Sequence, residues 1–278
     1  MEAPWPIPSD LRVVSVNDYP LTYAELGLGP PVILLHGTLS DCRAWRPITA
    51  QLSERYRVIA PNLRHYYPEP WRGEGGNFSA EQHADDLVAL VKMLNLGKVH
   101  WVGWSRGGAV MVEVAKRHPS VVRSLILEDA GIEMPIVESI ESREAAAFTR
   151  TVMQTLQDNI KSGDLIHAAE AFCDTVNAKG YWSGLPKPVR EMILANIYTA
   201  LADVRRPLTT CEEVRHLDMP ALLVTGERSP KRYAFFYDEM RKCRHFPPTV
   251  VIPNAGHVMH AHNPQGFLSV VLDFLARN

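Results

Sequence analysis

The sequence predicts an α/β protein with a mostly parallel central sheet, and three observations support this prediction. Short apolar segments typical of buried strands alternate with amphipathic helical segments along most of the 278 residues. The alternation is interrupted once, over residues 133–216, where the pattern is helical almost throughout. A serine also stands between glycines at the junction of a strand and a helix, in the sequence GWSRGG at 103–108.

Composition places the chain among ordinary globular proteins, with 46% hydrophobic and 22% charged residues. A net charge of -2 argues against electrostatic binding to nucleic acid or to anionic lipid. The chain has no apolar run of about 18 residues, and its start, MEAPWPIPSDLR, lacks the pattern of a secretory signal. We expect a cytoplasmic protein, a monomer or homodimer, that acts on a small molecule and binds neither nucleic acid nor membrane.

The four cysteines are far apart in the sequence and form no CxxC pair: Cys42, Cys173, Cys211 and Cys243. This spacing argues against a zinc site and against a disulfide framework. The sequence therefore predicts reduced, buried thiols and no metal site.

The first third of the chain predicts a hairpin followed by a strand, a helix and a strand. Residues 11–16 and 21–26 have an extended pattern and are separated by a turn around Asn17 and Asp18. The segments at 31–37 and 57–62 contain the consecutive aliphatic residues typical of strands buried on both faces. Helical spacing over 43–54 separates them, and this is the unit from which parallel sheets are built.

The same alternation continues beyond this unit. A helix is predicted over 79–97, with Ser79 as its N-cap and Gln82 three residues later, as in a capping box. Strands are predicted at 98–103 and 123–129, with a helix between them. The pattern resumes after the interruption with four segments, at 220–226, 233–243, 249–257 and 266–277.

The helical interruption suggests a division of the chain into three parts. Residues 1–132 and 217–278 form the α/β core, and residues 133–216 form a helical cap over the strand ends, where open parallel sheets bind ligands. The alternative is that the helices of 133–216 only complete a second core.

Ser105 is predicted to be a nucleophile. Its motif lies where a strand turns directly into a helix, so its hydroxyl is presented above the edge of the sheet on a tight turn. Larger side chains at Gly103 or Gly107 would collide across that turn, and Gly108 allows the helix to pack closely on the strand. A serine hydroxyl also needs a base, a group that orients the base, and hydrogen-bond donors for an oxyanion.

The chain contains eleven histidines, and their places in the sequence indicate which one is the candidate base. His257 follows the last predicted strand and precedes the last helix, with Gly256 before it in a flexible loop. His260 and His262 are expected to be solvated residues at a helix start. The others considered are expected on surface helices or loops: His65, His83, His118 and His216.

Three motifs resemble those of the α/β-hydrolase superfamily, in its serine-nucleophile branch with a helical cap: HG at 36–37, GWSRGG at 103–108 and NAGH at 254–257. The resemblance spans nearly the whole chain and implies the α/β-hydrolase fold, with 133–216 in the usual cap position. It implies Ser105 as nucleophile and His257 as base. It also implies an oxyanion hole formed by the backbone N–H groups of Thr38 and Arg106.

The acid departs from the common family pattern, because Ser229 occupies the position where relatives usually have an Asp. A serine cannot stabilise an imidazolium as a carboxylate does. Asp129, at the end of the strand beside the nucleophile strand, is the preferred acid, and Glu227 remains the alternative. Glu128 should point to the opposite face of the sheet, since side chains alternate along a strand.

Aromatic residues around these motifs predict a substrate pocket. Trp104, Tyr66 and Tyr67 are expected to line it with Thr38. The alternative for Trp104 is core packing, and the alternative for the loop that carries the two tyrosines is partial packing on the cap. Arg106 equally could cap a helix or pair with a surface carboxylate.

The leading functional hypothesis is a serine esterase or lactonase that cleaves a carboxylic ester, thioester or lactone through an acyl-enzyme, without metal or organic cofactor. The second is a cofactor-independent oxygenase, lyase or C–C hydrolase, in which the His–Asp pair abstracts a proton from the substrate. The third is a binding protein without turnover, against which an intact serine and histidine argue.

Overall fold

The computed structural model describes residues 11–74, 76–135, 139–203 and 207–278. The prediction that the chain lacks a secretory signal concerns residues 1–12, of which residues 1–10 lie outside the described part.

Eight strands form one sheet in the order β1-β2-β4-β3-β5-β6-β7-β8. The pairs β1–β2 and β2–β4 are antiparallel, and the remaining pairs are parallel. The predicted α/β class with a mostly parallel sheet is therefore confirmed. The strands are β1 Arg12–Val16, β2 Tyr19–Leu26, β3 Pro31–Leu35, β4 Arg57–Pro61, β5 Val99–Trp104, β6 Val122–Glu128, β7 Ala221–Gly226 and β8 Val250–Ile252.

The helices cover both faces of this sheet. They are α1 Arg46–Leu52, α2 Ala80–Met93, α3 Arg106–Arg117, α4 Ile140–Lys161, α5 Leu165–Val176, α6 Tyr181–Gly184, α7 Lys187–Ala195, α8 Cys211–Arg215, α9 Lys231–Cys243, α10 Met259–His262 and α11 Pro264–Arg277. Short 3₁₀ turns precede α1, at Cys42–Trp45, and follow α7, at Ile197–Leu201.

Strand β3 shows how the sheet divides the core. Ile33 and Leu35 pack into the apolar cluster beneath α2, α3 and α9, whereas Val32 and Leu34 pack into the cluster beneath α1 and α11. Because successive side chains of a strand point to opposite faces, a strand covered by helices on both sides must be apolar at every position. This is why the central strands are recognisable as continuous aliphatic runs.

The start of α2 shows half of the predicted capping box. The Ser79 hydroxyl accepts a hydrogen bond from the Gln82 N–H at 3.0 Å, as an N-cap residue does. The Gln82 side chain donates instead to Asp86 Oδ1, at 3.0 Å. A full capping box would need the Gln82 side chain to bond the Ser79 backbone N–H. That side chain is instead held by the buried Asp86 carboxylate, which also pairs with Arg64.

Helices α4 to α7 lie between β6 and α8 and have an apolar cluster of their own, which includes Leu156, Ala169 and Ile197. Leu39, from the turn after β3, is fully buried in the same cluster. The helices of this segment therefore pack against the end of a core strand. We retain residues 133–216 as the proposed extent of the cap.

The expectation of four reduced thiols is wrong for one pair of cysteines. Cys211, the first residue of α8, and Cys243, the last residue of α9, form a disulfide across 32 residues of sequence. Cys42 and Cys173 are free and buried, as predicted. The packing of α8 on α9 brings the pair together, and such tertiary contact leaves no signature in cysteine spacing.

Within the described ranges, no helix combines the length and the apolar character needed to cross a bilayer.

Candidate active site

Ser105 lies in the turn between β5 and α3 with a backbone conformation that side chains rarely adopt, φ 53° and ψ −119°. The turn is possible because glycines surround it. A Cβ at Gly107 would lie 2.2 Å from the carbonyl oxygen of Leu35, and a Cβ at Gly103 would lie 2.8 Å from the Cα of Gly108. A Cβ at Gly108 would lie 2.5 Å from that of Ala130. The predicted reason for the glycines is confirmed.

Asp129 follows β6, the strand next to β5, and its carboxylate is fully buried. One oxygen, Oδ2, lies 3.1 Å from His257 Nδ1, and the other accepts a hydrogen bond from Thr225 Oγ1 at 2.7 Å. Burial raises the pKa of Asp129 above its ordinary value, and hydrogen bonds from His257, Ser229 and Thr225 oppose that rise. The carboxylate is thus built to accept a proton-bearing imidazole nitrogen.

Ser229 and Glu227 differ sharply in their relation to this carboxylate. The Ser229 hydroxyl hydrogen-bonds Asp129 and accepts from the N–H of Gly226 at 3.1 Å. Glu227 is exposed and accepts from the N–H of Asn254 at 2.7 Å. The serine at the family's usual acid position therefore supports a carboxylate supplied by the neighbouring strand.

His257 is buried between two aromatic rings. Tyr233 stacks on one side, with centroids 4.6 Å apart and planes at 13°, and Trp104 lies on another at 5.6 Å and 50°. The Tyr233 hydroxyl is 3.3 Å from His257 Nε2. Because nearly parallel rings pack about 3.5 Å apart, that oxygen lies above the nitrogen and does not engage the in-plane lone pair.

Ser105 and His257 border the same cavity. Both residues belong to the described part of the chain, and Ser105 Oγ does not hydrogen-bond His257 Nε2. That nitrogen contacts the Tyr233 hydroxyl instead. Catalytic hydrogen bonds of this kind are often long in an unliganded site and shorten when substrate binds.

The two candidate oxyanion donors also lie beside Ser105. Arg106 is the first residue of α3, so its N–H has no acceptor within the helix. Thr38 borders the cavity with Ser105, and it follows Gly37, where a Cβ would lie 3.1 Å from that of Ser105. The turn after β3 and the start of α3 thus converge on the serine.

The Arg106 side chain is buried and forms an ion pair with the buried Asp203. One of its nitrogens lies 3.2 Å from His83 Nδ1. His83 is fully buried, so its expected position on the surface is wrong. Burial and the Arg106 charge lower the pKa of His83 well below its ordinary value, which keeps the imidazole neutral beside the guanidinium. Arg106 was expected to cap a helix or to pair with a surface carboxylate, and its observed partner is a carboxylate that is buried.

His260 also departs from the prediction, because it is fully buried rather than solvated. Its Nδ1 lies 2.8 Å from Glu128 Oε2, and its backbone N–H donates to Glu128 Oε1 at 3.0 Å. Glu128 therefore points away from Asp129, as the alternation along β6 predicts. The Glu128 carboxylate fixes the segment that follows His257.

His262 is partly buried and hydrogen-bonded on both sides of its ring. Its Nδ1 accepts from the Gly256 N–H at 3.0 Å, and its Nε2 lies 3.1 Å from the Tyr181 hydroxyl. Burial lowers the pKa of His262. Its expected role as a solvated residue at a helix start is wrong, since it joins the histidine loop to α6.

The cavity has a volume of about 720 Å³, within the usual range for small-molecule sites. Residues near the strand ends and residues of helices α5 to α7 both line it, and most of the lining is apolar, as with Leu39, Phe172, Val176 and Met192. Trp104 lines it as predicted, and its indole N–H also donates to the His257 carbonyl at 2.8 Å.

Tyr66 and Tyr67 are not among the described residues that line this cavity. Tyr66 is buried against His36, with ring centroids 4.6 Å apart, and the Tyr67 ring lies under the Arg43 guanidinium at 4.1 Å. The expected contribution of the two tyrosines to the pocket is wrong. Tyr66 packs in the core and Tyr67 is partly exposed.

Sequence reasoning missed several residues of the site. Tyr233 lies in the aromatic run YAFFY of α9, where nothing distinguishes it from ordinary core residues. Arg46, Asn177 and Tyr181 border the cavity, and only a prediction of side-chain direction could have placed them there.

The model of the alpha/beta hydrolase family matches residues 32–270. The chain is 25% identical to a 2-(acetamidomethylene)succinate hydrolase of Mesorhizobium japonicum, over 95% of this chain and 94% of that protein. It is 27% identical to a pimeloyl-[acyl-carrier protein] methyl ester esterase of Aeromonas salmonicida, over 90% and 97%.

A solved structure of a thermophilic esterase from Thermogutta terrifontis has the same fold, with a TM-score of 0.76, 24% identity and coverage of 97% of this chain and 99% of that one. The family model covers the sheet from β3 to β8, the serine turn and the histidine loop described above, and the protein belongs to the alpha/beta hydrolase family.

Proposed function

We propose that the protein is a serine hydrolase that cleaves a carboxylic ester, thioester or lactone of a small, largely apolar substrate through an acyl-enzyme. Ser105 is the nucleophile, His257 the base and Asp129 the acid that orients it. The oxyanion is held by the N–H groups of Thr38 and Arg106. Trp104 forms part of the substrate pocket.

The proposed reaction has two halves. Ser105 Oγ attacks the carbonyl carbon while its proton passes to His257 Nε2, and the developing oxyanion accepts hydrogen bonds from the two N–H groups. The imidazolium is stabilised by Asp129, and its proton goes to the leaving alkoxide or thiolate as the acyl bond breaks. Water then repeats these steps on the acyl-enzyme, with His257 as base, and releases the acid and Ser105.

The observation that supports this proposal most directly is the contact of 3.1 Å between His257 Nδ1 and the buried Asp129 carboxylate, in a cavity that Ser105 also borders. An imidazole whose Nδ1–H donates to a carboxylate has its Nε2 lone pair available as a base. The positive φ of Ser105 is the second support, because this strained turn presents the hydroxyl to the cavity.

The test is detection of the acyl-enzyme by intact mass across a panel of esters, thioesters and lactones. We expect a mass increase equal to the acyl group in the native protein, and labelling by a fluorophosphonate. Neither should occur in Ser105→Ala. A substrate that is turned over equally well by Ser105→Ala, without any adduct in the native protein, would contradict the proposal.

That same outcome would instead favour the second hypothesis, proton abstraction by the His257–Asp129 pair in a cofactor-independent oxygenase, lyase or C–C hydrolase. In such a reaction the serine hydroxyl forms no covalent bond to substrate. The two mechanisms therefore separate on the Ser105→Ala variant with a single substrate.

A further inference from the structure

Strands β5 and β6 each carry a polar or aromatic side chain directly before a proposed catalytic residue. Trp104, the last residue of β5, is paired with Glu128, the last residue of β6. Paired residues of adjacent strands have their side chains on the same face of the sheet. Trp104 and Glu128 therefore lie side by side, one residue before Ser105 and Asp129.

Trp104 and Glu128 both bind the segment that carries the proposed base. The Trp104 indole N–H donates to the carbonyl of His257 at 2.8 Å. Glu128 Oε1 accepts from the backbone N–H of His260 at 3.0 Å, and Glu128 Oε2 lies 2.8 Å from the ring nitrogen Nδ1 of His260. The main chain is thus anchored at His257 and again three residues later.

The anchors are closely packed and lie away from the substrate. The centroid of the His260 ring is 4.3 Å from that of Trp45 and 5.2 Å from that of Trp104. The side chains of Glu128 and His260 are fully buried, and Glu128 is not among the described residues that border the cavity. Glu128 therefore acts on the reaction only through the residues that it binds or through its charge.

The position of the main chain at His257 matters because the imidazole has several partners during the proposed reaction. Its Nδ1 stays on Asp129, while its Nε2 takes a proton from Ser105 and gives it to the leaving group. The ring can reach each partner in turn only if the backbone that carries it is stationary. A displacement of about 1 Å, caused by a change remote from the chemistry, is enough to lower a rate about 100-fold.

We propose that Glu128, acting through His260, and Trp104 are positioning residues, which fix the main chain of His257 for proton transfer. This inference depends on the proposed function, since it requires His257 to be the base. The two anchors act together with Asp129, which orients the ring. They exchange no proton with the substrate.

The test measures kcat and KM for substitutions of the two anchors, on a substrate that the native protein turns over. Glu128→Ala removes both bonds to His260, so kcat should fall about 100-fold while KM stays within about threefold of the native value. Glu128→Gln removes the charge but keeps an oxygen for the His260 N–H and an amide N–H for Nδ1, so kcat should stay within about threefold. Trp104→Phe removes the indole N–H and should lower kcat about fivefold.

The matched control for lost stability is Asp86→Ala. Asp86 is a buried carboxylate that pairs with Arg64, and it too is absent from the described lining of the cavity. Asp86→Ala should lower the free energy of unfolding and keep kcat within about threefold at a temperature where the variant is folded.

A second control tests whether the anchors act through His257. Glu128→Ala and Trp104→Phe are each combined with His257→Ala, and the residual rate is measured. Residues that act as a unit have effects that do not add. Neither substitution should therefore lower the rate of His257→Ala any further.

Three results would overturn the inference: native kcat in both Glu128→Ala and Trp104→Phe, a loss in Glu128→Gln as large as in Glu128→Ala, or a loss that persists in His257→Ala. If Glu128→Ala does not fold, Trp104→Phe with and without His257→Ala decides. Failure of the proposed acylation is recognised separately, by full turnover in Ser105→Ala without an adduct. The same comparison then applies to that substrate, because His257 is the base in both reactions considered above.

Discussion

The phenol ring of Tyr233 lies face to face with the imidazole of His257, with centroids 4.6 Å apart and 13° between the planes. Asp129 holds only one nitrogen of that imidazole, so rotation about this contact is restricted by the stacked ring together with Trp104. We expect Tyr233→Phe, which keeps the stack, to change kcat less than about threefold.

Tyr233→Leu removes the stack, and we expect kcat to fall about tenfold, since an aromatic pair contributes about 0.5–1.5 kcal/mol. Steady-state kinetics on one ester measures both variants. A larger loss in Tyr233→Phe than in Tyr233→Leu would show that the hydroxyl, and not the ring, is the important group.

Substitution of the two acids separates their roles. Asp129→Asn should lower kcat by about 10⁴-fold, because an amide can neither stabilise the imidazolium nor fix the reactive tautomer. Glu227→Gln should remain within about threefold of the native rate, since Glu227 is exposed and bonds Asn254. A larger loss in Glu227→Gln would reverse the assignment.

Stability should decrease as pH falls from about 6.5 towards 4. His36 is fully buried, and burial lowers its pKa from 6.5 to about 4, while its Nε2 accepts from the Leu63 N–H at 3.1 Å. The unfolded chain therefore binds a proton in this window before the folded chain does, and the full stability is present only above pH 6.5.

A shift of this size corresponds to about 3 kcal/mol, and three other histidines shift in the same direction: His83, His100 and His262. Urea unfolding at pH 7.5 and pH 5 measures how much the free energy of unfolding changes with pH. His36→Gln should show a smaller difference between the two pH values, and an unchanged difference would exclude His36 as a source.

The buried pair of Glu128 and His260 should be important for stability. Both side chains are fully buried, and removing one partner leaves an uncompensated polar or charged group in the core. We expect Glu128→Ala to lower the free energy of unfolding by about 3–5 kcal/mol. In a double-mutant cycle, His260→Ala should lower the free energy of unfolding less in the Glu128→Ala protein than in the native protein. Additive losses would show that the two residues are not coupled.

The disulfide between Cys211 and Cys243 should stabilise the protein by restricting the unfolded chain. For a loop of 32 residues, the chain-entropy relation gives about 3–4 kcal/mol. Unfolding with and without a reducing agent measures the difference, and Cys42→Ser serves as a control because Cys42 is free and buried. No change on reduction would mean that this pair is not oxidised in the purified protein.

The sheet could be predicted because its signals are local. Strands covered on both faces are apolar at every position, and the hairpin turn at Asn17 and Asp18 shows the positive φ values, 47° and 59°, that asparagine and aspartate tolerate. Boundaries were less accurate, since β2 begins at Tyr19 and not at residue 21. The tight turn lets the strand start immediately after it.

The site could be predicted only in part, for a related reason. Ser105 and His257 stand in short motifs with their own glycines, whereas the choice between Asp129 and Glu227 depends on which side chain turns towards the histidine. The Glu128–His260 pair joins residues 132 positions apart, and His83 is buried beside Arg106 and Phe78. Contacts of this kind follow from tertiary packing and have no local signature.

Strands β5 and β6 are hydrogen-bonded neighbours in register, with Trp104 opposite Glu128, and the next residue along each is Ser105 and Asp129. One step across a sheet is about 4.8 Å, so the backbone ladder brings the main chains of Ser105 and Asp129 side by side. The loop beyond β7 contributes the Ser229 hydroxyl to this carboxylate, and its Arg228 N–H donates to the carbonyl of Ala255, two residues before His257, at 2.8 Å. An insertion around Arg228 would consequently displace the segment that carries His257 as well as the hydroxyl at 229.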